Sequence, residues 1–102
     1  MPKSDPPEQE LLESILKPLL TDFEYWFSRA IDLLTQERIS FLSERAQSDL
    51  LSRVQQAAQE VKAAQMLFQA TDGQVGIELS KMLSWHQLVS ECWQVSIQLR
   101  QS

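Results

Sequence analysis

Leu12, Leu16, Leu19, Phe23, Trp26, Ala30 and Leu33 recur at alternating steps of four and three. That spacing returns to one side of an α-helix every two turns, and here it lasts for about six turns. A strand would scatter the same residues over both of its faces. The first third of the chain is therefore expected to be one long helix with an apolar stripe to bury. Leu11, Ile15, Leu20, Phe27, Ile31 and Leu34 widen the stripe to roughly 200° of the helical wheel, more than one neighbouring helix covers. Such a helix needs two neighbours. Pro18 falls inside it and cannot donate to the carbonyl of Ser14, which predicts a kink there. Asp5, Pro6 and Glu8 have the spacing of a helix start, with Pro6 as the first helical residue.

The pattern breaks over Thr35–Leu42, a connection whose Ile39, Phe41 and Leu42 should fold over the end of the bundle. Ser43 then has the character of an N-cap, and Leu50, Val54, Ala57, Val61, Ala64 and Phe68 step again by four and three. Ala57, Ala58, Ala63 and Ala64 keep this second helix thin, so a neighbouring backbone can approach. Its outer face, Gln55, Gln59, Lys62, Met66 and Gln69, is polar but almost uncharged. Both glycines of the chain lie in Thr71–Gly76, and Gly73 suits the left-handed residue just past a helix end. Ile77–Leu83 reads either as the opening turns of a third helix or as a separate short one. Ser84 with Gln87 offers a second capping-box spacing and hence a fresh start. No stretch alternates as a strand does. The expected fold is all-α, an antiparallel three-helix bundle with a kinked long first helix, in which residues 1–7 form a flexible N-terminal arm and residues 8–102 a single helical domain.

At 102 residues, 43% hydrophobic and 23% charged, the chain can build one core without disulfides or metals. Its net charge of −5 is carried entirely by residues 1–37, where eight acids face three bases. No basic patch exists, so nucleic acid is not an expected partner. No run approaches the roughly 18 apolar residues of a membrane span. A single cysteine and the lack of an N-terminal apolar leader lead us to expect a cytoplasmic protein.

Ser84–Arg100 holds two of the three tryptophans, the one histidine and the one cysteine. On an ideal wheel Trp85, Leu88, Cys92, Val95 and Leu99 share one side, the natural inner face. His86, Trp93 and Ile97 fall about 120° or more from its centre. Either the helix is buried on two sides, or Trp93 and Ile97 form an exposed anchor with His86 beside them. Aromatic anchors of that kind dominate binding between proteins. Tyr25 is a further outward aromatic on the first helix.

The wheel places His86 and Cys92 on different faces, so a Cys–His dyad is geometrically poor. No acid is positioned to orient the imidazole. One Cys and one His cannot assemble a metal site, and the Glu-x-x-His pattern of di-iron bundles is missing. No catalytic residue, metal or cofactor is therefore expected, and the protein is read as not an enzyme.

The wording of several segments is more distinctive than their periodicity. Glu10-Leu11-Leu12, Pro18-Leu19-Leu20-Thr21-Asp22-Phe23-Glu24-Tyr25-Trp26-Phe27, Ile39-Ser40-Phe41-Leu42-Ser43, Ala63 through Gly76, and Trp85-His86-Gln87-Leu88-Val89 together resemble a small cyanobacterial family catalogued as domain-of-unknown-function family 2605. The resemblance runs from about Glu8 to Arg100. It implies a cyanobacterial, cytoplasmic protein and brings no activity, cofactor or catalytic residue with it. The expected function is a non-enzymatic interaction or assembly-factor module that binds a protein partner, with a homodimer left open. Its candidate surface is Trp93, Ile97, His86 and Tyr25. The alternative is a lipophilic ligand or tetrapyrrole pigment held in the bundle, with His86 as a metal ligand.

Overall fold

The computed structural model describes residues 6–71 and 78–101, with side chains from Glu13 onward except that of Leu79. The cap expected at Asp5 and the turn expected at Gly73 lie outside the described residues. Three helices account for nearly all of the rest: α1 (Pro6–Gln36), α2 (Glu44–Ala70) and α3 (Leu79–Gln101). The fold is all-α, with no strand among the described residues, and it is long and narrow at 56 × 22 × 19 Å. Helix α1 opens at Pro6 and stays helical on both sides of Pro18.

The α1–α2 connection is clamped by a residue that periodicity passed over. Gln47, in the first turns of α2, is buried and makes four hydrogen bonds. Its Oε1 accepts from the Ile39 amide (3.0 Å) and from Arg38 Nη1 (2.9 Å). Its Nε2 donates to the carbonyls of Leu34 (2.9 Å) and Glu37 (2.7 Å). The end of α1, whose last carbonyls have no intrahelical partner, is thus tied to the start of α2. Ser43 Oγ caps α2 by accepting from the Ala46 amide. Ile39 is fully buried, with Phe41 and Leu42 half-buried against the same core.

From α2 the core takes Leu50, Val54, Ala57, Val61 and Phe68, the expected row apart from half-buried Ala64. From α1 it takes Leu16, Leu20, Phe23, Phe27, Ala30 and Leu34. That corrects the expected seam. Leu16, Phe23 and Ala30 belong to it, but Leu19 and Leu33 are only partly covered and Trp26 is exposed. The broad apolar band holds two overlapping rows, and α2 packs on the one centred on Leu20 and Phe27.

Helix α3 opens earlier than the Ser84 capping box suggested. The Glu78 carbonyl accepts from the amides of Lys81 (3.1 Å) and Met82 (3.2 Å), which starts the helix at Leu79. Lys81 Nζ donates to Glu60 Oε2 on α2 at 3.0 Å, a tertiary contact that steadies this first turn. Trp85 is buried and packs edge-on against Phe23, with ring centroids 5.5 Å apart. Its indole N–H, which a buried tryptophan must satisfy, donates to Glu60 Oε1 at 3.0 Å. Farther along, Arg53 and Glu91 form a two-point ion pair between α2 and α3. The partners of α2 descend along α3 (Arg53 with Glu91, then Glu60 with Lys81 and Trp85). Those of α1 ascend, Phe23 with Trp85 and Trp26 with Trp93.

Candidate interaction site

Burial declines along α3. Trp85, Leu88 and Val89 are buried, whereas Cys92, Val95 and Leu99 on the expected inner face are only half-buried. The C-terminal half of α3 is thus less completely covered, and a groove of about 620 Å³ opens between it and the C-terminal half of α1. Its walls are mainly apolar, with Trp26, Leu33, Trp93 and Ile97 among them. Arg29 and Arg100 are its charged residues.

Three of the four candidate residues gather here. Trp93 is 42% exposed and Ile97 46%, both lining the groove. Trp93 meets the edge of Trp26 at 5.3 Å between ring centroids, and Trp26 meets Tyr25 at 5.1 Å. Tyr25, 52% exposed, thus joins the same aromatic ladder from its outer end. Arg29 lies over the Tyr25 ring at 5.7 Å and donates to its hydroxyl at 3.0 Å, which fixes a guanidinium at the margin of the ladder. His86 is exposed and stands seven residues before Trp93 on α3, about 10 Å away along the helix axis and outside the groove. Of the other groove residues, Trp26 belongs by spacing to the expected α1 seam, and no sequence pattern singles out Arg29. The four-three rhythm alone does not distinguish Trp26, which is exposed, from its buried neighbours in the row.

Two groups near α3 are shifted by their surroundings. Burial pushes the Cys92 thiol up to about 11, with the nearby Glu91 carboxylate adding to the shift. A thiol so raised is a poor nucleophile near neutral pH. The Trp85 indole holds the Glu60 carboxyl below its usual range, with help from Lys81, against the opposing effect of desolvation. His86 and Cys92 are not brought together, since one is exposed and the other half-buried in the groove. Among the described residues no group of three or more His, Cys, Asp or Glu could hold a metal ion, and no helix is long and apolar enough to cross a membrane.

A family model described as "Protein of unknown function (DUF2605)" matches residues 6–101, which takes in all three helices. The chain belongs to the DUF2605 family. No curated protein and no solved structure matches it. The family match thus agrees with the resemblance carried by the Pro18–Phe27 and Trp85–Val89 segments. The groove is a feature of this DUF2605 chain on which the family's description is silent.

Proposed function

We propose that this protein is a non-enzymatic docking module whose α1–α3 groove receives a protein partner. One observation carries the reading. The chain buries Trp85 almost completely, yet leaves Trp26, Trp93 and Ile97 exposed side by side around a groove. Contiguous exposed apolar surface is costly in an isolated chain and is characteristic of interaction sites. The tryptophans supply the anchor and Tyr25 the polar-tipped margin, while His86 extends the surface toward the start of α3. A free thiol at Cys92 accords with a reducing cytoplasm, the compartment this reading assigns.

The test is affinity purification of the tagged protein from its native cells, in parallel with Trp93→Ala and Met66→Ala. Met66 is 63% exposed on α2 and makes a surface control. A stoichiometric partner should be recovered with the parent and with Met66→Ala and lost with Trp93→Ala. Equal recovery with all three would remove the anchor.

The size of the groove favours a second reading, a lipophilic ligand. Its volume of about 620 Å³ lies within the range of small-molecule sites, and the two arginines suit an anionic head group. Titration with haem and with a fluorescent fatty acid tests it. Saturable binding that Trp93→Ala weakens and His86→Ala does not would place such a ligand in the groove. A visible band abolished by His86→Ala would instead favour a pigment ligated by that histidine. Unchanged spectra would dismiss both.

A further inference from the structure

We infer that the occupant of the groove is a second copy of this chain, with the two α1 helices antiparallel along a seam of Ile15, Leu19, Asp22, Trp26, Arg29 and Leu33. This rests on the docking reading above and names its partner. The six residues step by four, three, four, three and four, the rhythm of a coiled-coil seam. They lie beside the core row of α1, offset by one residue from Leu16, Leu20, Phe23, Phe27, Ala30 and Leu34, and hence turned by about 100°. The chain's own helices cover this row only in part. Ile15 is 53% exposed and Trp26 37%, Leu19 and Leu33 are half-buried, and Asp22 and Arg29 face solvent. Trp26, Arg29 and Leu33 also form the α1 wall of the groove, so a helix laid on the seam enters it and meets Trp93 and Ile97.

The charges select a second copy and its direction. Asp22 and Arg29 sit on either side of Trp26, and among the described residues neither makes an ion pair, Arg29 being held only by the neutral Tyr25 side chain. They are about 10 Å apart along the same helix, too far to pair with each other. A twofold axis at Trp26 sets Leu19 opposite the partner's Leu33 and Trp26 against its own copy, and it brings Asp22 within one residue's rise, about 1.5 Å, of the partner's Arg29. Such an isologous contact uses the same patch twice. A parallel arrangement would instead oppose Asp22 to Asp22 and Arg29 to Arg29, which is repulsive.

Sedimentation of the full chain at high micromolar concentration, with Asp22→Arg and Arg29→Asp studied singly and as an equal mixture, tests this. Circular dichroism checks that each exposed-site variant keeps its helices. The parent should sediment at twice its 11.8 kDa chain mass. Each single variant should dimerise about tenfold or more weakly, because it opposes like charges at both ends of the seam. The mixture should recover dimerisation, since one chain then offers two arginines to two aspartates on the other. A monomeric parent would overturn the second copy as occupant and hand the groove to a foreign protein or a lipophilic ligand. The docking reading would then stand or fall by the Trp93→Ala purification. A dimer indifferent to the single variants, or a mixture that fails to recover, would overturn the antiparallel α1 seam.

Discussion

Replacing Gln47 by alanine should destabilise this protein more than any other change of a polar residue described here. The side chain satisfies four groups at the α1–α2 connection, and their fates differ once it is gone. Arg38 is exposed and turns to water, and the Glu37 carbonyl is partly exposed. The Ile39 amide and the Leu34 carbonyl are buried and have no such recourse. Leaving a buried donor or acceptor unsatisfied costs about 1–3 kcal/mol each. Alanine returns only a few tenths of a kcal/mol in helix propensity. The expected loss is about 3 kcal/mol, or roughly 15 °C in Tm for a domain of this size. Urea unfolding followed by helical circular dichroism measures it, with Gln55→Ala on the exposed face of α2 as the control. An unchanged urea slope with a lower midpoint would mean that stability itself fell. Gln47→Ala within about 0.5 kcal/mol of the control would refute the clamp, since that is the ordinary range for surface changes.

Two further outcomes follow from the titratable groups. The folded-state pKa of Glu60 is held below its unfolded value, so its contribution is present above the unfolded value and is lost as pH falls through the folded one. Thermal unfolding between neutral pH and pH 3 should therefore show the parent losing Tm more steeply than Glu60→Gln, and parallel curves would contradict the Trp85–Glu60 contact. The Cys92 thiol, raised to about 11, should react with iodoacetamide slowly at pH 8 and ever faster toward pH 11. A shift from 9.0 to about 11 lowers its thiolate fraction about 100-fold. A rate equal to that of a free thiol would show the groove wall to be open at that point.

What the sequence made legible depended on whether a pattern had one solution. In α2 most of the large apolar residues form one narrow row, with Leu51, Met66 and Leu67 off it, and the structure buries nearly that row. In α1 the band is wide enough to hold a row through Leu20 and Phe27 and another through Leu19 and Trp26. Periodicity weights them equally, and only the position of α2 decides between them. Gln47 had a readable signal after all. It stands three residues before Leu50 and so continues the four-three row of α2 backwards, a polar residue at a core position. The start of α3 was hidden for a different reason, because Lys81 meets Glu60 from 21 residues away and no local motif reports that. For the candidate site, the wheel separated His86 and Cys92 and set Trp93 and Ile97 apart from the inner face. It could not show the groove between α1 and α3, whose walls take in Trp26 and Arg29.

The central claim is that the groove is covered in the working state of the protein. Hydroxyl-radical footprinting inside native cells, compared with the dilute purified chain, tests it most directly. Trp85, 2% exposed, and Met66, 63% exposed, are internal references for a protected and an open side chain. In the dilute chain Trp26 and Trp93 should be oxidised readily. In cells both should fall toward the protection of Trp85 while Met66 stays reactive. Equal oxidation of Trp26 and Trp93 in the two settings would contradict the account.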